Sequence, residues 1–417
     1  MNLYLFNAND SAATYGIGTY LKELTNALKG TDIRMHIVHL HASRPEFGIE
    51  IKDQVEHWHV PDVCNKSTIS GALHLLEKYC RNVIYLLRLH IKDTKDLVFH
   101  FNYNQSYALA KGLKEVFECQ TVCTVHFMRW ALEFQGNLSR FQSIKAKPEN
   151  QRTEYEQLLI DTDEYESMQY KAADKVVALS RFTKEILISG YQLNAEKISF
   201  VPNGMEDVLI ENVWDTDKIA LRSKWNISEK EYVILFVGRL HPAKGIKFLI
   251  EAFHHVLATI PNCRLIIAGS GKQEPYLQAT KSIGTKITFT GLIEKQALHE
   301  LYRIADIGVL PSLTEQCSYV LIEMMMHGLP LVVTATSGLN EMVNQTCGLK
   351  IPVMAHADRI EIDTETLAEK IIYLLQHPDE AKTMGQNGRK RYLQEYTSEV
   401  FRENMLNLYR SLYASNT

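Results

Sequence analysis

Short runs of β-branched and aromatic residues alternate along the chain with longer stretches in which apolar residues recur every three or four positions. Strand-like runs stand at 3–6, 33–39, 97–101, 121–125, 175–179 and 198–201, with helical patterns at 18–28, 69–89, 107–117, 165–173 and 181–189. After a pause the pattern restarts, with runs at 232–237, 264–268, 287–290, 307–310 and 331–334 and helical stretches at 246–258, 273–282, 295–304, 319–327, 364–376 and 379–394. Most of the runs are continuously apolar rather than alternating, which predicts parallel strands covered by helices on both faces. The pause holds a turn-forming cluster, Pro202-Asn203-Gly204, and then a polar segment to about Glu231. The expected architecture is α/β, two Rossmann-like domains facing a central cleft, with ligands at the carboxyl ends of the strands. Residues 127–166 break the rhythm: Trp130, Phe134, Phe141 and Tyr155 stand there among many charges. A long excursion after a strand end reads as a lid or acceptor-binding loop, with one or two surface helices as the alternative.

The length of 417 residues exceeds what one hydrophobic core usually sustains, in keeping with two domains. A net charge of −4, −1 in residues 1–204 and −3 in residues 205–417, supplies neither a basic face for nucleic acid nor a polybasic patch for an anionic bilayer, so membrane association is peripheral at most. The seven cysteines (Cys64, Cys80, Cys119, Cys123, Cys263, Cys317 and Cys347) are odd in number and never form a CxxC pair, against a disulfide framework or zinc cage and for a reducing, cytoplasmic setting. Cys119 and Cys123, ~13 Å apart in an extended strand, cannot pair with each other. The opening Met-Asn-Leu-Tyr-Leu-Phe reads as a first strand, not a leader, and the most apolar long window, 318–335, is interrupted by Glu323, His327, Gly328 and Pro330, so no membrane span is expected. The histidines offer no metal-ligand spacing, and the Asp-Thr-Asp triplets at 161–163 and 215–217 lie in charged stretches and read as solvated faces.

Candidate chemistry sits at strand ends. Gly16-Ile17-Gly18 opens a helical pattern after the first strand, where backbone N–H groups can approach a phosphate. Leu21 replaces the third glycine of the dinucleotide fingerprint and no acidic residue closes a second strand, which disfavours NAD. Gly269-Ser270-Gly271-Lys272 lacks P-loop spacing and reads as a turn. Arg239 and Lys244 follow the run 232–237 and lead into a helix: a fork and a point charge suited to a diphosphate, or else two solvated charges. Glu315 follows the run 307–310, and Glu323 lies among Leu321, Met324 and Met325, where a carboxylate is costly unless it caps, faces solvent or meets a polar ligand. His126 ends the run 121–125 and is either structural or a ligand contact.

In combination these residues resemble the retaining glycosyltransferases of family 4, which have the GT-B fold. Gly238-Arg239-Leu240 with Lys244-Gly245, Glu315 and Glu323 in an E-x7-E arrangement ending at Gly328-Leu329-Pro330, Val201-Pro202-Asn203-Gly204, Ala178-Leu179-Ser180 and Gly291 carry the likeness over nearly the whole chain. The resemblance implies an acceptor domain at 1–204, a nucleotide-sugar donor domain at 205–398, and a last helix, 399–417, that crosses back to the first. It implies no cofactor and no metal. The donor would be a UDP- or GDP-sugar and the acceptor a glycan, a lipid-linked sugar or a peptide. Arg239 and Lys244 would neutralise the departing diphosphate, Glu315 would bind sugar hydroxyls, Glu323 the ribose, and Gly291 and Leu292 would flank the base. Gly16 and Gly18 would approach the diphosphate and His126 the sugar. Two departures stand out: Gln316-Cys317-Ser318, with Tyr319 following, replaces the usual Gly-Phe-Gly beside the sugar, and Phe127 replaces the aspartate that often follows the histidine. These side chains resemble a smaller subgroup found beside bacterial peptide-modifying gene clusters. Other readings of the same motifs are a nucleotide-sugar epimerase, a glycan phosphorylase, or a noncatalytic nucleotide-sugar-binding protein.

Overall fold

The computed structural model describes residues 1–8, 16–62, 72–93, 95–103, 106–209 and 218–413. Cys64, the triplet at 215–217 and the start of the expected helix at 69–89 lie outside the described residues. The chain forms two compact units, one of Met1–Arg129, Pro148–Asn203 and Ser398–Thr417, the other of Trp130–Lys147 and Gly204–Thr397.

The first unit is built on eight strands: β1 (Asn2–Ala8), β2 (Arg34–Ala42), β3 (Gly48–Lys52), β4 (Val55–Pro61), β5 (Leu97–Phe101), β6 (Cys119–Val125), β7 (Lys175–Ala178) and β8 (Ile198–Phe200). They run in the order β3-β4-β2-β1-β5-β6-β7-β8, parallel except for β3 against β4. β1 and β5 lie mid-sheet and are buried almost end to end, as continuous apolar runs require. β3 and β4 were not expected from the pattern. β4 interleaves Glu56, His57 and His59 with apolar residues, and β3 is exposed from Ile49 to Lys52, held by its antiparallel partner. The helix expected from 165 begins earlier, as Glu154–Ala172, because Thr153 and Glu156 form a capping box. That helix corrects one of the aspartate triplets: Asp163 is buried, not solvated, and accepts a hydrogen bond from the Tyr191 hydroxyl at 2.5 Å. Helix Ser398–Ser411 packs along helix Gly16–Leu28, with Tyr20 edge-on to Phe401 at 5.6 Å.

The second unit carries β9 (Tyr232–Val237), β10 (Cys263–Ala268), β11 (Ile287–Gly291), β12 (Ile307–Leu310), β13 (Leu331–Thr334) and β14 (Gly348–Ile351), all parallel in the order β11-β10-β9-β12-β13-β14, and a small antiparallel pair, β15 (Val353–Ala355) with β16 (Ile360–Ile362). The last three strands were not expected from the pattern: Lys350 interrupts β14, Met354 and Ala355 of β15 are exposed, and Glu361 interrupts β16. The helix expected over 273–282 is confined to Glu274–Leu277, with turns beyond it. The polar segment that follows Gly204 contains helix Lys218–Lys224, anchored within the unit by buried Arg222, whose guanidinium donates to Asp306 at 2.6 Å and to the Ile304 carbonyl at 3.0 Å.

Residues 130–147 depart from the expected division at 204. They cluster with the second unit, not the first. Buried Asn137 donates to the His356 carbonyl at 2.7 Å, Arg140 donates to the Asp358 carbonyl, and a Cβ on Gly136 would stand 2.9 Å from the Leu313 carbonyl oxygen. Within it Trp130 stacks on Phe141 at 5.3 Å, and the rest of the expected excursion, from Pro148 on, belongs to the first unit. Among the described residues, six cysteines are free thiols and no helix is long and apolar enough to cross a membrane.

Candidate functional site

β9 and β12 are neighbours in the second sheet, so the loops leaving their carboxyl ends emerge side by side. The first loop passes Arg239, makes a 3-10 turn over Pro242–Lys244 and turns at Gly245 into helix Ile246–Thr259. Gly245 has φ +69°, and a Cβ there would fall 1.9 Å from the Pro311 carbonyl oxygen, so glycine is what lets the two loops touch. Leu313 N donates to Ala243 O at 2.8 Å, which ties them together. This contact brings Lys244 and Glu315 into an ion pair, their side chains 21% and 15% exposed. The Glu315 carboxylate also accepts from Ser312 Oγ at 3.0 Å, and its backbone is braced by the loop after β13: Glu315 N donates to Ser337 Oγ at 2.9 Å and Gly338 N donates to Glu315 O at 2.8 Å. Between the two cations, His241 Nδ1 accepts from Ala243 N at 3.2 Å; burial, with Arg239 and Lys244 nearby, pushes its pKa down and keeps that nitrogen an acceptor.

Gln316, Cys317 and Ser318 are all buried. Ser318 caps helix Tyr319–Met326, its Oγ accepting from Leu321 N at 3.4 Å. Glu323, on that helix, meets a polar partner inside the protein: Tyr302 donates its hydroxyl to Oε2 at 2.7 Å. Gly291 ends β11 with φ +68°, and Leu292 beyond it is 72% exposed.

Gly16, Gly18 and His126 belong to the first unit, where the two glycines lie in the first turn of helix Gly16–Leu28. His126 Nε2 stands 3.2 Å from Asn102 Oδ1; a carbonyl oxygen can only accept, so Nε2 carries the proton. Tyr20 packs edge-on against the ring at 4.7 Å. Burial pushes the imidazole down to about 3, so His126 is neutral at pH 7 and offers hydrogen bonds, not charge. Behind it lies a buried chain: Tyr20 OH to Thr124 Oγ1 at 3.3 Å, His100 Nε2 to the same hydroxyl at 2.7 Å, and His100 Nδ1 to Tyr409 OH at 2.8 Å.

The two halves of this arrangement match two family descriptions. Residues 14–207 match Glycosyltransferase Family 4, and residues 217–391 match Glycosyl transferases group 1. The chain belongs to the family 4, group 1 glycosyltransferases. An uncharacterized glycosyltransferase of Methanocaldococcus jannaschii is 34% identical over 189 residues, 43% of this chain and 45% of that protein. The chain spans 40% to 61% of the length of the curated relatives it matches. A sucrose-phosphate synthase from Thermosynechococcus elongatus superposes with a TM-score of 0.77 at 22% identity, covering all of both chains, and an Anabaena protein solved with UDP-glucose does so at 0.70 and 15%, covering 99% of this chain and all of that one. The fold is GT-B, with two Rossmann-like sheets.

Within this group 1 glycosyltransferase, reading the sequence missed the residues that hold the candidate groups in place. Ser312 follows a strand end and Asn102 follows β5 directly, a positional signal that was there to be used. Ser337, Tyr302, Tyr20 and Thr124 carry no such signal, because each meets its partner across a distance set by the fold.

Proposed function

We propose that this glycosyltransferase moves a sugar from a nucleotide-sugar to a glycan, lipid-linked or peptide acceptor with retention of anomeric configuration and without a metal. The observation that carries the reading is the cradle at the ends of β9 and β12, where Arg239 and the Lys244–Glu315 ion pair stand on adjoining loops. Fixed cations aimed at a departing diphosphate stabilise charge as it develops, the task a metal would otherwise perform. In the reaction the bond from the anomeric carbon to the diphosphate oxygen breaks, the acceptor oxygen bonds to that carbon from the same face, and the acceptor proton passes to the departing phosphate. Lys244 would exchange Glu315 for phosphate, releasing the Glu315 carboxylate to accept from sugar hydroxyls. Glu323 would accept from ribose hydroxyls, Gly291 and Leu292 would flank the base, Gln316 to Tyr319 would line the sugar, and Gly16, Gly18 and neutral His126 would complete the donor contacts from the first unit. The UDP-glucose carried by the Anabaena structure supports a nucleotide-sugar donor.

The test is a melting-temperature screen of UDP-, GDP- and ADP-sugars, because a bound ligand raises apparent stability by mass action. It is followed by donor turnover in EDTA and assignment of product configuration by NMR. A stabilising donor, EDTA-resistant turnover and a retained anomeric configuration are expected. No shift with any donor, or turnover abolished by EDTA and restored by a divalent ion, would overturn the reading.

A further inference from the structure

The carboxylate of Glu323 is gripped by a neutral, buried donor on a neighbouring helix. Tyr302 lies on helix Lys295–Ile304, is 1% exposed, and places its hydroxyl 2.7 Å from Glu323 Oε2. Burial and the carboxylate itself raise the phenol pKa well above its ordinary value, so the hydroxyl stays a donor. The backbone of Glu323 is held as well. His327 Nδ1 stands 2.8 Å from the Glu323 carbonyl oxygen and must therefore carry a proton. Burial pushes His327 down to about 4, so its Nε2 is a lone pair and takes the Nδ1 proton of His299 at 3.2 Å. The Tyr302 and His327 rings pack at 4.9 Å, and those of His299 and His327 stack at 5.1 Å, which leaves the tyrosine little room to swing.

A carboxylate has about four acceptor sites, so one phenolic hydrogen bond orients it without exhausting it. We infer that Tyr302 is the positioning residue for Glu323: by holding Oε2 it presents the carboxylate in a single orientation to the ribose hydroxyls of a nucleoside diphosphate, and so sets how strongly the site discriminates ribose from deoxyribose. This rests on the reading of Glu323 as the ribose contact. Holding a ligand group in its productive rotamer before binding removes an ordering cost from the binding step.

The experiment is calorimetric titration of UDP, GDP and their 2′- and 3′-deoxy counterparts into the full chain, for the wild type, Tyr302→Phe, Glu323→Ala and the double variant, with melting curves recorded on each. Phenylalanine keeps the ring packed on His327, so the fold is expected to persist. The wild type should prefer the ribonucleotide by about tenfold, the worth of a hydrogen bond to a charged acceptor. Tyr302→Phe should reduce that preference to about twofold while changing deoxynucleotide affinity little, and in the Glu323→Ala background it should change nothing further. A wild-type preference in Tyr302→Phe, or an equal effect of the substitution with and without Glu323, would overturn the inference and leave the donor reading standing. A wild-type preference in Glu323→Ala, or no binding of either nucleotide by the wild type, would overturn the reading beneath it.

Discussion

The two units hold their polar candidate groups by opposite means. In the first, Tyr20, Thr124, His100 and Tyr409 form a buried chain of neutral hydrogen bonds behind His126, and both imidazoles are pushed down to about 3. In the second, Lys244 and Glu315 are an ion pair left partly exposed on two adjoining loops. A neutral group survives burial once every donor meets an acceptor, whereas burying charge costs several kcal/mol per ion. The first arrangement suits a rigid wall, and the second suits a site that exchanges one anion for another.

Acid should expose this difference most strongly. His36, His39, His57, His100 and His126 of the first unit all have lowered pKa values, chiefly through burial, His39 to about 4 and His100 and His126 to about 3. In the unfolded chain they titrate near 6.5, so below that pH the unfolded state binds more protons than the folded one. The stability they contribute is present above pH 6.5 and is lost as the pH falls toward 4, by about 1.4 kcal/mol per pH unit for each buried imidazole that stays neutral. The second unit has fewer among its described residues, namely His241, His299 and His327. Hydrogen exchange at pH 5 should therefore speed up at β5 and β6 before β9 and β12, and the reverse order would break the comparison.

Replacing Arg239 with alanine should lower kcat/KM by about 100-fold or more, the usual cost of losing a group that stabilises developing charge. Near-wild-type steady-state kinetics would leave the second unit without its assigned role. Thr124→Val removes the shared partner of Tyr20 and His100 and should cost about 2 kcal/mol in denaturant unfolding, since two buried polar groups then lose a hydrogen-bond partner. A neutral result would mean the chain of hydrogen bonds is ornamental to stability. Asn137→Ala should cost about 1 kcal/mol, because Asn137 both caps helix Leu138–Lys145 and donates to the His356 carbonyl. An unchanged unfolding midpoint would detach residues 130–147 from the core of the second unit.

Much of the scaffold was legible because parallel strands must be apolar on both faces. The runs at 97–101, 232–237, 307–310 and 331–334 coincide with β5, β9, β12 and β13, and the helical period at 364–376 with helix Thr364–Gln376. What escaped lacked that signature. β3 is exposed and β4 mixes histidines with apolar residues, and both are strands only because a partner completes their hydrogen bonds. Asp163 looked solvated because its neighbours are charged, yet its helix turns it inward to Tyr191. The cap that Ser318 places on helix Tyr319–Met326 depends on a hydroxyl orientation that spacing does not encode.

The sequence by itself determined the α/β class, the restart of the pattern after Gly204 and the loops on which Arg239, Lys244, Glu315 and Glu323 ride, since periodicity and turn residues are local properties. Only the tertiary structure decided that residues 130–147 join the second unit, that Tyr302 grips Glu323 and that Thr124 joins Tyr20 to His100. Those contacts link residues 21 to 219 positions apart, and a hydrogen bond at such separation exists only once the sheets have fixed both partners in space.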